Sequence, residues 1–310
     1  MGPTATGKTA LSLALARHFP IEIINVDSTL IYRGLDILSG KPTSAEQAQV
    51  PHHLIDIHHP ADPYSAGQFH RDALKCIKEI QSRNHIPVLV GGTMLYFKAL
   101  ISGIPDIPKV TSSIKAEIQH LALIKGWEAM HKALMACDPE AARLIHPSDK
   151  QRIERALSVY QSTGRPLSSY WPTPSQSLNA ILNIALVPKA AYRHLLHQRI
   201  EKRLKMMLQN GGVEEVIGLK RDPNINASLP AMTSVGYRQV MQYLDGELSE
   251  EAMHQNILAA TRQLAKRQLT WLRSWPNLHA FDYLDSQLIP RISQLIMSYP
   301  DLSLKSGLIF

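Results

Sequence analysis

Residues 2–9 read Gly2-Pro3-Thr4-Ala5-Thr6-Gly7-Lys8-Thr9, GPTATGKT, a full match to G-x-x-x-x-G-K-[ST]. In such a loop the backbone N–H groups and the lysine hold a di- or triphosphate, while the final hydroxyl ligates Mg²⁺. The pattern specifies a pyrophosphate and leaves the reaction open, since kinases, nucleotide hydrolases and diphosphate-consuming transferases all use it. It also constrains its surroundings. The loop should open a helix, where the dipole and the free N–H groups favour anions. The next residues, KTALSLALARHF, carry helical spacing through Leu11, Leu13, Leu15 and Phe19.

Outward from the loop, IEIINVD (21–27), HLIDI (53–57), IPVLVGG (86–92) and ILNIALVP (181–188) read as buried strands, and AGQFHRDALKCIKEIQSRN (66–84) as a helix between two of them. Strands alternating with helices mean an α/β fold, a P-loop, doubly wound, mostly parallel sheet. Ligands of such sheets bind beyond the carboxyl ends of the strands. That rule places GPTATGKT, Asp27 and the Gly91-Gly92-Thr93 turn around one crevice. Residues 111–145 break the alternation and read as helical throughout. Ser148 is the expected cap of the helix after them, and GRPLSSYWPTPSQSLN (164–179) the expected flexible return. The expected organisation is a core of residues 1–110 and 181–310, with a mostly helical C-terminal part, and a helical insertion with its return segment at 111–180.

Composition narrows the class. The chain has 310 residues, 45% of them apolar, enough for a full core. Its two cysteines, Cys76 and Cys137, show no C-x-x-C spacing, which argues against a zinc site or a disulfide framework. No apolar run approaches the roughly 18 residues of a membrane span, so a cytoplasmic protein without membrane attachment is expected. The net charge of +7 is unevenly placed: residues 151–310 hold 18 Lys/Arg against 12 Asp/Glu, residues 1–110 hold 10 against 9. A basic half beside a near-neutral half suits a polyanion and a small ligand respectively, although solubility alone would also account for it.

Several residues could carry chemistry. Asp27 ends a strand and could be a Mg²⁺-holding carboxylate, a general base or a helix cap. Arg199 and Arg203 share a helix face with Lys202 adjacent, either a lid of charge over a pyrophosphate or a solvated basic face. Arg152 and Arg155 share another face, with Glu154 between them. Arg262, Lys266, Arg267 and Arg273 fall in an acid-free window with Gln263, Gln268 and Trp271, a mixture that suits RNA, or a core helix with one basic stripe. His52, His53, His58 and His59 flank LIDI and read as turn histidines rather than metal ligands.

In order along the chain, GPTATGKT, DSTLIYRGLDILSGKPT, PHHLIDI, VLVGGTMLYFKAL, HPSDKQRIERALSVYQSTG, SVGYRQ and ATRQLAKRQLTWLR resemble the signature blocks of bacterial tRNA dimethylallyltransferases. The resemblance implies transfer of a dimethylallyl group from dimethylallyl diphosphate to N6 of the adenosine 3′ of a tRNA anticodon. It implies that Lys8, the loop amides from Thr4 onward, Arg203 and Mg²⁺ on Thr9 hold the leaving pyrophosphate, and that Asp27 orients and deprotonates the amine. By the same resemblance, tRNA meets Asp27, Ser28, Thr29 and Leu30; Thr93; Gln151, Arg152, Ile153, Glu154 and Arg155; Thr233, Ser234, Val235, Gly236, Tyr237 and Arg238; and Lys266, Arg267, Gln268, Leu269, Thr270, Trp271, Leu272 and Arg273. A monomer is expected. One departure stands out: an apolar strand precedes the loop in that family, whereas here only Met1 does, so a native start upstream of Met1 is expected. A small-molecule P-loop kinase is the alternative, but it leaves the basic C-terminal third unexplained. Transfer to free adenine nucleotide shares the loop and Asp27 but has little use for four tRNA-contacting segments, and the intact Lys8, Thr9 and Asp27 argue against a non-catalytic RNA-binding module.

Overall fold

A computed structural model describes residues 1–105, 107–171 and 182–299, and the backbone of 308–309. The chain divides into two compact units: Met1–Ile101 with Leu178–Phe310, and Ser102–Ser177. No helix among the described residues is long and apolar enough to cross a membrane.

The first unit is built on one parallel sheet of six strands, β1 (Ile21–Val26), β2 (His52–His53), β3 (Ile86–Gly91), β4 (Leu182–Val187), β5 (Leu278–Asp282) and β6 (Leu308–Ile309), ordered β2-β1-β3-β6-β4-β5. Its central strands alternate between two cores, as a period of two demands when both faces are covered. Ile21 and Ile23 of β1, Val88 and Val90 of β3, and Leu182, Ile184 and Leu186 of β4 enter one core. They meet Leu11 and Leu15 of helix α1 (Lys8–Ala16) there. Ile24, Val26, Leu89 and Ala185 enter the other. That face is covered by α3 (Ala66–Ser82), α4 (Met94–Ser102), α9 (Arg193–Gln209), α11 (Tyr237–Leu244) and α12 (Glu250–Arg273), with a one-turn α2 (Ser44–Gln47) and α10 (Gly212–Lys220) at its margin.

One expectation needs correction. HLIDI does not continue as a strand: β2 stops at His53, because Leu54 and Asp56 adopt φ of +60° and +55°, outside the extended region. The largely helical C-terminal third also holds a strand, since LHAFD forms β5 in parallel register with β4, Asn183 opposite Leu278 through Val187 opposite Asp282. A further helix, α13 (Leu288–Met297), then packs Ile292 and Ile296 against the α1 face.

The gap between β3 and β4 is bridged by β6, with Leu308 opposite both Val88 and Leu182. Met1 adds to the same ladder: its amine donates to Ile184 O at 2.7 Å and its carbonyl accepts from Leu186 N at 3.0 Å.

The second unit contains α5 (Ser112–Lys125), α6 (Trp127–Cys137), α7 (Pro139–Leu144) and α8 (Lys150–Thr163) around Ile118, Leu134, Ala141, Ile153 and Ala156. Asp149, not Ser148, caps α8, its carboxylate accepting from Arg152 N. Ser148 sits one residue outside, paired with His146. Of the expected flexible return, Leu167–Tyr170 form a 3-10 turn and residues 172–179 lie outside the described residues.

At the opposite ends of the strands from the phosphate loop, Glu22 is buried with its carboxylate on Arg83 (2.9 and 2.8 Å), His53 (2.6 Å) and His85 (2.8 Å). The Arg83 hydrogen bonds, helped by the two histidines and opposed by burial, hold its pKa at about 2 against an ordinary 4.5. A depressed carboxylate stabilises the fold fully above its unfolded pKa and loses that contribution as pH falls through its folded one. Glu22→Gln is therefore expected to cost about 3 kcal/mol at neutral pH, with the two proteins converging between pH 4.5 and about 2. Denaturant unfolding across that range checks it, and a gap that persists at the acid end would contradict it.

Candidate functional site

The loop wraps over the carboxyl end of β4. A Cβ on Gly2 would lie 2.7 Å from Leu186 O, so the first glycine is required by backbone contact. Gly7 takes φ +83° as the N-cap of α1, and its carbonyl accepts from Leu11 N to start the helix. Thr6 Oγ1 donates to Pro3 O and closes the turn. Lys8 folds back, its ammonium donating to Gly2 O (2.9 Å) and Pro3 O (2.8 Å), which leaves one of its three N–H donors for an anion. Burial lowers its pKa to about 8; Asp27 opposes the shift and Arg203 adds to it. These three charges thus influence one another across the crevice.

That crevice, about 790 Å³, is lined by Thr4, Ala5, Gly7, Lys8 and Thr9 on one side and Asp27–Leu30, Gly91–Thr93 and Thr233–Gly236 on the other. The expected convergence beyond the strand ends is what the structure has. Asp27 follows β1 directly; its Oδ1 accepts from Thr29 N at 2.9 Å, so one oxygen shapes the turn while the residue still faces Lys8 and Arg203. Thr93, following β3, accepts from Ser28 N at 3.0 Å and binds the two turns together. From α9, Arg199 and Arg203 both line the crevice. Arg203 donates to Thr4 Oγ1 (3.4 Å) and Gly40 O (3.5 Å), while Arg199 lies 5.0 Å over the Tyr283 ring. Hard oxygen donors at Thr9 and Asp27 beside a cationic loop fit Mg²⁺ shared with a bound diphosphate. Among the described residues no group of three or more His, Cys, Asp or Glu could hold a metal. The four histidines have protein partners: His52 with Val50 O, His53 with Glu22, His58 against Tyr64 and His59 with Asp222.

Within the expected tRNA segments the structure separates outward from inward side chains. Thr233, Ser234, Val235 and Gly236 border the crevice and Arg238 is exposed, but Tyr237 is fully buried. On α12, Arg267 and Trp271 face the crevice, Lys266, Thr270 and Arg273 are exposed, and Leu269 is half-buried. Leu272 and Gln268 point inward. Thr4 N–H donates to Gln268 Oε1 at 3.0 Å, so this loop amide serves the fold rather than an anion. Gln151, Arg152, Glu154 and Arg155 are on α8 of the second unit, where Glu154 accepts from Gln119 and Ile153 belongs to the core.

Two residues that shape the loop around Gly40 were not found from sequence. Glu215 of α10 accepts from the N–H groups of Asp36 (2.8 Å), Ile37 (2.6 Å) and Leu38 (3.3 Å) and from Tyr237 Oη (2.6 Å), fixing the loop opposite the phosphate site. Gly40 in that loop has φ +64°, and a Cβ there would lie 1.7 Å from the Arg203 guanidinium.

The family model described as IPP transferase matches residues 30–275. The chain belongs to the IPP transferase family. A family member from Coxiella burnetii (strain RSA 493 / Nine Mile phase I), named tRNA dimethylallyltransferase, is 50% identical over 299 residues, 94% of either chain. The tRNA dimethylallyltransferase 2 of Hahella chejuensis is 46% identical over 311 aligned positions, covering 96% of this chain and 93% of its own. Among solved structures, the tRNA isopentenylpyrophosphate transferase of Bacillus halodurans matches at TM-score 0.69 and 34% identity, over 96% and 94% of the two chains. A eukaryotic dimethylallyltransferase acting on tRNA matches at TM-score 0.80 and 26% identity, over 95% and 76%.

The lowered Lys8 pKa makes a prediction for this family site. An anion favours the charged ammonium, so pyrophosphate affinity should fall by up to about tenfold per pH unit above about pH 8, and binding there should take up a proton. Calorimetry in two buffers of different ionisation enthalpy reads that proton. Equal uptake by Lys8→Ala would remove Lys8 as its source.

Proposed function

We propose that the protein transfers the dimethylallyl group of dimethylallyl diphosphate to N6 of the adenosine 3′ of the anticodon in tRNA, releasing pyrophosphate. One observation carries the reading: a single crevice puts the diphosphate loop, with Lys8 and Arg203, opposite Asp27 on the turn that follows β1. Leu38, Ile200, Leu204, Met207 and Leu264 add an apolar wall that suits a five-carbon chain. The names of the family relatives supply the acceptor, tRNA.

In this reading the N6–C1 bond forms as C1–O breaks, and the bonding pair leaves with pyrophosphate. Lys8 and Arg203 take up the charge that develops on the leaving oxygens. Asp27 accepts a hydrogen bond from the exocyclic amine, aims it at C1 and receives its proton; orientation matters more than basicity for so weak a nucleophile. Mg²⁺, held by the Thr9 hydroxyl, would add charge neutralisation at the diphosphate. A base held in its stack cannot present its amine inside such a crevice, so the adenosine turns out of its stack to enter. The basic, aromatic-bearing face of α12, with Arg267 and Trp271, receives the RNA.

Radioactive dimethylallyl diphosphate, Mg²⁺ and an unmodified anticodon stem-loop should give labelled RNA, with AMP unlabelled and no phosphoryl transfer from ATP. Asp27→Ala should lower turnover by two or more orders of magnitude with RNA affinity largely kept. Phosphoryl transfer without prenyl transfer would replace the reading by the kinase. Arg267→Ala should weaken stem-loop binding and lower the slope of log affinity against log salt by about 1. An unchanged slope would mean that Arg267 meets no phosphate.

A further inference from the structure

Gln268 is the one polar side chain of the basic α12 window that is buried, at 6% exposure. Both ends of its amide are engaged. Oε1 accepts from Thr4 N at 3.0 Å, and Nε2 donates to Gly92 O at 2.9 Å. Thr4 belongs to the phosphate loop, and its hydroxyl accepts from Arg203. Gly92 precedes Thr93, which holds the Ser28 amide next to Asp27. A second, independent observation concerns space: a Cβ on Gly92 would lie 2.3 Å from Gln268 Nε2, so the turn comes this close only because that residue is glycine.

We propose that Gln268 is a positioning residue that sets the phosphate loop and the Asp27–Thr93 turns in register, acting through Thr4 and Gly92 and touching neither substrate. Neither Thr4 N nor Gly92 O belongs to a strand ladder, so without the amide each would be a backbone group left unpaired beside the site. The loop's remaining amides can meet an anion without rearranging only while its first turn is held. This differs from the RNA-contacting part that Gln268 would have as a member of the Lys266–Arg273 stretch. The inference rests on the reading of GPTATGKT as a diphosphate holder.

The test uses the whole chain and pyrophosphate with Mg²⁺, in the absence of RNA. Gln268→Met keeps the volume and removes both hydrogen bonds, and should weaken pyrophosphate binding about tenfold, the scale of one or two aligned hydrogen bonds. Gly92→Ala pushes the amide away from the other side and should reproduce the loss; it carries the comparison alone if Gln268→Met does not fold. A residue with a merely structural part would lower the melting temperature and leave the affinity of the folded protein unchanged, and an RNA contact would lower stem-loop affinity only. Unchanged pyrophosphate affinity in either folded variant overturns the proposal. A wild-type protein that binds pyrophosphate yet labels no RNA would overturn the proposed reaction and leave this comparison standing, whereas failure to bind pyrophosphate would overturn the reading of the loop and this inference together.

Discussion

Two backbone hydrogen bonds, from the Met1 amine to Ile184 and from Leu186 to Met1, carry the direction of the sheet into the phosphate loop. Everything in the crevice is measured from that junction. The loop leaves β4 at a fixed point, Gly2 packs on the Leu186 carbonyl, and Gly7 turns the chain into α1 with its amides facing the strand ends. Because β1 and β3 run parallel to β4, Asp27 and Gly92 emerge at the same rim. A parallel sheet does this for any sequence that fills it; the chemistry comes from which residues stand at three strand ends.

Electrostatics then divide the labour. Lys8 and Arg203 are both held where burial works against their charge, and Asp27 is the carboxylate that offsets this for each of them. Such a trio favours an incoming anion more than a solvent-exposed basic patch does, because the protein has already removed water from the cations. The exposed cations of α12 differ in kind: they remain hydrated, act over longer distances and are screened by salt. The proposed reaction would therefore join a desolvated pocket, suited to a small diphosphate, to a solvated face suited to a polyanion, in line with the near-neutral first part and the basic second part of the chain.

Much of this was legible because the relevant signals are local. The loop motif, the apolar runs of β1, β3 and β4, and the rule for parallel sheets together place Asp27 and Thr93 at the crevice. What escaped is non-local. Glu215 binds Ile37 across 178 positions of sequence, and nothing near VEEV points there. The resemblance marks 233–238 and 266–273 as stretches but does not say which way each side chain turns, so Tyr237 and Gln268 looked like their exposed neighbours. HLIDI misled because apolar alternation does not reveal that Leu54 and Asp56 adopt positive φ without being glycine. LHAFD was missed because a half-buried edge strand lacks the continuous apolar run that marks its neighbours.

The notch at Gly40 brings the loop and Arg203 into one place. The guanidinium fills the space that any side chain on residue 40 would need, while Glu215 and Tyr237 pin the same loop from behind. A side chain at residue 40 would have to displace the guanidinium, so glycine there lets the loop and the arginine share one corner of the crevice.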